Sequence, residues 1–214
     1  MKKKTIEYHF LVEGETEQRY LNWLQKQVNK NIYAKYNVKF VCTIGHNACS
    51  YVKNKKILYK TDAYRVIDYE GQAYKESFLK NLNDMKKAGD LGKQISFKLA
   101  YSNLAFELWI ILHKADCNSP KNSCKEYLRL LNALFNENFV SLTQFKEESN
   151  LEKCLNKLLI QDVINAIERA EKLMITVNSN YKEAQYKTFK YFEENPSLSL
   201  HIHIKQILQG CGLY

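Results

Sequence analysis

Residues 10–17, Phe-Leu-Val-Glu-Gly-Glu-Thr-Glu, run an apolar strand end straight into an acidic turn, and their reading decides the fold. Upstream, Ile6, Tyr8, Phe10 and Val12 fall on one side of an extended segment over 5–12, with the β-branched and aromatic bias of a strand. Gly14 permits a tight turn, and Thr16 stands where a side chain can cap a helix. Leu21, Leu24 and Val28 then recur at helical spacing, with Tyr20 and Trp23 widening the stripe. The unit is a strand, an acidic turn and a helix.

The same unit recurs downstream. Residues 38–43 read as a strand, 47–60 as a helix, 63–67 as a strand ending at Asp68, 74–87 as a helix and 95–101 as a further strand. Ser102-Asn103 is expected to cap an apolar helix over 104–113. Strands alternating with helices imply an α/β fold, a mostly parallel Rossmann-like sheet flanked by helices. Beyond Pro120 the stretches 124–135, 151–177, 181–194 and 198–209 all show helical periodicity. With only 7 Gly and 2 Pro in 214 residues, breakers are few, which favours long helices. The expected organisation is a core over 1–114 with a helical C-terminal region, 115–214, packed on it.

Lys and Arg number 32 against 23 Asp and Glu, a formal +9 that favours polyanionic partners such as nucleic acid. The excess is mostly lysine and widely scattered. The clusters Lys53, Lys55, Lys56 and Lys182, Lys187, Lys190, with 15 Tyr, can serve phosphate and base contacts, but solvated lysines and buried tyrosines are the plainer reading. The six cysteines form no Cys-x-x-Cys pair, so reduced thiols are expected. No apolar run reaches the eighteen or so residues that cross a bilayer, and no P-loop is present, so a cytoplasmic protein without a membrane partner or an ATPase of its own is expected.

In parallel α/β sheets ligands bind beyond the carboxyl ends of the strands. Glu13 follows the first strand there, and Asp68 and Glu70 follow the third, with Glu15 and Glu17 nearby. If those strands are neighbours, the carboxylates converge and repel unless a cation lies among them. Mg²⁺ takes such oxygen ligands together with substrate phosphates. Alternatively, residues 13–17 are a solvated helix start favoured by the macrodipole. His201 and His203 alternate in the manner of metal-binding pairs, but they lie among apolar residues opening a helix. His46 has no assigned role.

The segments 10–17 and Arg-Val-Ile-Asp-Tyr-Glu at 65–70 resemble the two signatures of the Toprim domain, shared by topoisomerases, primases and OLD-type nucleases. Ser-Asn-Leu-Ala-Phe-Glu-Leu-Trp-Ile-Ile-Leu-His at 102–113 resembles the Ser-Asn-Pro-x-Phe-Glu-x-Trp-Leu-Leu-Leu-His motif of the RloB family, and Asn-Pro-Ser at 195–197 suits it. RloB-like proteins accompany restriction-modification and abortive-infection loci. The resemblance therefore implies an antiphage nuclease that hydrolyses phosphodiester bonds of DNA or RNA with Mg²⁺ or Mn²⁺. It implies Glu13 as metal ligand or general base, Asp68 as metal ligand, Glu70 as the second acid, Glu17 as a further acid, Glu107 as a member of the metal cluster or a buttress of Ser102 or Asn103, and Ser102 and Asn103 as residues that bind phosphate or position the acids. His113, at the end of its helix, is either a partner of the helix dipole or a substrate-binding residue at a phosphate site. An ATPase encoded nearby and a homodimer are implied partners. Two positions depart from the pattern: Glu70 stands where Asp is usual, and Leu104 stands where the motif has Pro. The rival expectation is a non-catalytic module that binds nucleic acid or a partner protein. A primase-like transferase fits less well, because no primer-synthesis or zinc-binding region accompanies the motifs.

Overall fold

Four strands, β1 (Thr5–Val12), β2 (Asn37–Ile44), β3 (Thr61–Tyr69) and β4 (Ile95–Asn103), form a wholly parallel sheet in the order β2-β1-β3-β4. A computed structural model of the chain describes residues 3–45, 47–55 and 60–214. The crossovers are helical: α1 (Glu15–Lys30), α2 (Ala48–Lys53) and α3 (Lys75–Gly89). After β4 come α4 (Glu107–Leu112), α5 (Cys124–Phe135), α6 (Leu142–Lys146), α7 (Glu148–Leu155) and α8 (Ile160–Asn180). An antiparallel hairpin, β5 (Glu183–Tyr186) with β6 (Phe189–Phe192), precedes α9 (Leu200–Cys211). His46 and Lys56 lie outside the described residues; the helix expected over 47–60 is the shorter α2, which ends at Lys53 with Asn54 as its C-cap.

Period-two alternation sorts the strands between two cores. Phe10, Val12, Tyr64, Val66 and Ala100 face one layer, built with α1, α4, α5, α7, α8 and α9. Leu11, Ala63, Ile67, Leu99 and Tyr101 face the other, built with α2, α3 and the hairpin. The apolar face read for 5–12 is therefore the packed one. β1 connects to β2 on one side and lies against β3 on the other, so the strand order reverses between β1 and β3. Their ladder ends with Val12 opposite Val66, so Glu13, just past β1, comes beside Asp68 near the end of β3.

Four local expectations need correction. Residues 181–194 are a hairpin and not a helix: Ala184, Tyr186, Phe189 and Tyr191 alternate in period two around a Lys187-Thr188 turn, with Lys187 at φ 56°. The helix expected over 151–177 is broken between α7 and α8, where the Asp162 carboxylate accepts the Leu159 N–H (2.8 Å) to start a new helix. The α1 N-cap is Gly14, and Glu17 rather than Thr16 makes the side-chain bond, accepting the Gly14 N–H at 2.9 Å. Ser102 and Asn103 end β4 instead of capping a helix, and α4 begins only at Glu107.

The delay before α4 has a backbone cause. Leu104 adopts φ 72°, a left-handed conformation unfavourable for a branched residue, while its N–H donates to Tyr69 O at 2.8 Å. The outer edge of β4 is covered by the chain leading into α9. Asn103 N–H donates to Ser197 O (2.8 Å), Ser199 N–H to Tyr101 O (2.9 Å), and Tyr101 N–H to Ser199 Oγ (3.0 Å). Among the described residues no helix is long and apolar enough to cross a membrane, and all six cysteines are free.

Proline's ring fixes φ near −65° and removes the N–H, so Leu104→Pro is expected to cost at least about 3 kcal/mol in urea unfolding, whereas Leu104→Gly should stay within about 1 kcal/mol of wild type. Equal stability of the proline variant and wild type would refute the left-handed geometry at 104.

Candidate functional site

Beyond the carboxyl ends of β1 and β3, two backbone N–H groups fix two carboxylates. Asp68 N–H donates to Glu13 Oε2 (3.1 Å), and Phe106 N–H donates to Asp68 Oδ2 (3.0 Å). The first bond exists because the β1–β3 ladder brings the strand ends together. The second exists because the left-handed turn at Leu104 returns the chain over Asp68 before α4 starts. Glu13 also faces Arg65 Nη2 at 3.9 Å, and the Arg65 side chain, 1% exposed, lies inside the sheet's second core. Arg65 donates to Leu11 O (3.2 Å), Gly45 O (2.7 Å) and Asn81 Oδ1 (3.0 Å).

Glu17 and Glu107 complete the cluster from the other layer. Glu107 is fully buried, and Lys146, at the end of α6, brings its ammonium within 3.1 Å of Glu107 Oε1. Lys146 is the one charged partner of that carboxylate among the described residues, and Glu107 Oε2 has no hydrogen-bond partner. Burial pushes Asp68 well above the usual carboxylate range, and the nearby Glu17, Glu107 and Glu13 push it further against the Phe106 N–H. Glu17 is raised by burial, with the Gly14 N–H and Lys146 opposing and Glu107 adding to the rise. Burial disfavours the Lys146 ammonium, but Glu107, Asp68 and Glu17 outweigh it and raise the lysine above its ordinary value. These directions describe one coupled group in which carboxylates outnumber the neighbouring cations, Arg65 and Lys146.

The other expected residues are placed unequally. Glu70 stands exposed at the rim, raised by partial burial and then by Glu13, with Lys146 opposing. Ser102 is opposite Asp68 in the β3–β4 ladder, and its buried Oγ has no hydrogen-bond partner. Asn103 is turned elsewhere: its Nδ2 donates to the carbonyls of Phe192 (3.1 Å), Glu193 (3.0 Å) and Glu194 (2.9 Å), holding the segment after β6. His113 is fully buried beyond α4, its Nδ1 against Trp109 O (2.8 Å) and its Nε2 against the Tyr20 hydroxyl (3.1 Å), so it is not brought to the cluster. With Nδ1–H donating to that carbonyl, Nε2 must accept from Tyr20. His201 and His203 are buried on α9, where His203 Nε2 donates to Leu99 O (2.9 Å). Glu15 pairs outward with Arg19 (2.7 Å).

A model of the RloB-like protein family matches residues 9–207. The chain belongs to this family. No curated protein and no solved structure matches it. The match spans both the sheet and the helices beyond it, so the RloB-like unit includes Lys146 as well as the acids. Lys146 and Arg65 are the charged residues of the site that the sequence reading did not assign. Arg65 had a signal, a charge inside the apolar run 63–67; Lys146 had none, because its partners lie far away along the chain.

Among the described residues no three acidic, histidine or cysteine side chains converge closely enough to cage a metal ion. The donor set nevertheless fits a hard divalent cation of the Mg²⁺ kind, which needs only one or two carboxylates besides water and phosphate. The buried carboxylate of Glu107 is paired with Lys146 at Oε1, and its Oε2 is an oxygen ligand without a partner.

Asn103→Leu should lower stability by about 1–3 kcal/mol in urea unfolding, because three carbonyls lose the Asn103 amide and Glu193 O keeps no other side-chain donor among the described residues, whereas Ser197 Oγ still donates to Glu194 O at 2.9 Å. Normal stability with weakened substrate affinity would instead place Asn103 at the substrate. Burial also holds His113 down to about 4. A depressed histidine contributes stability that is full above its unfolded value of about 6.5 and is lost as pH falls through about 4. Its Cε1 proton resonance should therefore stay at the neutral position from pH 7 to 5, and titration near 6.5 would contradict the burial.

Proposed function

We propose that this RloB-like protein is a metal-dependent nuclease, related to the Toprim and OLD-type enzymes, that hydrolyses phosphodiester bonds of DNA or RNA. The observation that carries this reading is the group of buried and half-buried carboxylates acting on Asp68 where the strand order reverses, with Lys146 as the lysine beside them. Glu13, Asp68 and Glu70 would hold Mg²⁺ or Mn²⁺, with Glu17 and Glu107 behind them. When bound, such an ion polarises a phosphoryl oxygen and eases deprotonation of water at neutral pH.

The chain's own groups supply the rest. The backbone N–H groups of Asp68 and Phe106 hold the Glu13 and Asp68 carboxylates in fixed orientation, which is the preorganisation that phosphoryl chemistry rewards. Glu13, one-third exposed, can take a proton from the attacking water. As water oxygen bonds to phosphorus and the phosphorus–oxygen bond to the leaving nucleoside breaks, negative charge grows on the phosphoryl oxygens and the leaving oxygen. Lys146, held at the cluster by Glu107, places positive charge beside it. Ser102, next to Asp68 with a free hydroxyl, can orient that acid or a phosphate oxygen. Family membership and the absence of a P-loop support a role as a defence effector whose nuclease is controlled by an ATPase supplied separately.

Purified protein should cut labelled plasmid, single-stranded DNA or total tRNA with Mg²⁺ or Mn²⁺ and not with EDTA. Glu13→Gln and Asp68→Asn, shown to be folded, should each lower the rate by on the order of 100-fold or more. Wild type and variants equally inert on every substrate would favour the binding-module reading.

A further inference from the structure

A groove of about 430 Å³ opens from Glu13 on the sheet face opposite Lys146 and runs along α3. One of its ends is thus a carboxylate of the candidate site. Its walls are Asn47 at the start of α2 and Ser77, Lys80, Asn83 and Lys87 of α3. The polar face of α3 follows helical spacing, because Phe78, Leu82 and Met85 take the opposite face into the core.

Lys80 and Lys87 share the groove with two carboxylates, Glu13 and Asp84, so its lining is formally neutral and the excess of positive charge comes from Lys53 beside it. The Asp84 carboxylate is spent on the first turn of α2, accepting from the Ala48 N–H and from the Cys49 N–H at 3.3 Å. Asn81 is also committed: its Oδ1 accepts from Arg65 and its Nδ2 donates to Ser77 O (3.1 Å). Lys80 and Lys87 are exposed, and among the described residues neither has an ion-pair partner. Lys53, at the end of α2, adds charge near Lys87, since both act on the Cys49 thiol. Seven helical residues separate Lys80 from Lys87, about 10 Å along α3, enough for the two ammoniums to meet different phosphates of one strand.

We infer that this groove is the path of a nucleic-acid strand, its phosphates met by Lys80 and Lys87 and its backbone leading one phosphodiester to Glu13. The inference rests on the nuclease reading for its direction, but binding can be measured without cleavage. A groove lined by two lysines, three asparagines, a serine and the carboxylates of Glu13 and Asp84, without an aromatic wall, suits phosphate and sugar contacts at its lysine side in preference to base readout.

The test uses the full chain in EDTA and a fluorescein-labelled 20-nucleotide single strand, as DNA and as RNA, followed by anisotropy over a salt series. Lys80→Glu with Lys87→Glu should weaken binding at least tenfold and lower the slope of log affinity against log salt by roughly 1.4, two contacts' worth. Lys26→Glu with Lys30→Glu on α1, the same change of charge elsewhere, should remain within twofold of wild type. Unchanged affinity in the α3 variant, equal weakening by both variants, or no binding by wild type to either strand would overturn the groove. Metal-dependent cleavage by wild type with unaltered binding in the α3 variant removes the groove and keeps the nuclease. Weakened binding by that variant in a wild type that never cleaves does the reverse.

Discussion

A guanidinium shut away from water must find an acceptor for the N–H groups it brings, and Arg65 finds them on several separate pieces of chain. Its partners are the end of β1, the turn after β2, the side chain of Asn81 on α3 and, at longer range, Glu13. Burial disfavours its charge, and Glu13, Asp84 and Glu17 oppose that loss. Removing any one partner would leave part of a buried cation unsatisfied, at a cost of several kcal/mol. The arginine therefore ties the strand ends to the helices that follow them, and Glu13 stands where it does partly as the countercharge of a residue inside the core.

The opposite layer solves the converse problem. Glu17, Asp68 and Glu107 are buried or deeply set beside one another, and Lys146 is the lysine that the structure brings to them. Such a group is a poor way to gain stability, because desolvation and mutual repulsion exceed what one half-exposed ammonium returns. Its presence makes sense if the charge is wanted for a ligand. Position supports the same view, since the group sits where the order of the strands reverses, the place in a parallel sheet where loops diverge and leave a crevice.

Residue bias carried most of the sheet into view, because β1 and β3 are rich in β-branched, aromatic and other apolar residues, with Glu13 directly after β1 and Asp68 next to the last residue of β3. Glu13 and Asp68 were legible for the same reason: strand ends are local features. What sequence patterning missed was non-local or rested on backbone sign. The hairpin at 183–192 contains lysines and tyrosines that read equally well on a helix face until the second core selects period two. The left-handed Leu104 has no compositional mark, since a leucine there announces nothing and the related motif carries proline. Asn103 appeared to be a cap because of its residue type, and its three carbonyl partners lie about ninety residues downstream. Lys146 could be recognised only once α6 was folded against the sheet.

The strap along β4 bears on how the molecule is made. A parallel sheet has two open edges, and at β4 the Ser197–Ser199 segment occupies the row of backbone groups that another chain could otherwise join. Tyr101 and Ser199 are 98 residues apart. During synthesis β4 emerges well before its cover, and at translation speeds of some 5–20 residues per second that delay lasts roughly five to twenty seconds. Throughout that interval the nascent chain has a bare, apolar strand edge beside a half-built acidic crevice. The segment that closes this edge is thus separated in time from the strand it covers, and it arrives only after the helices of the other layer have been made.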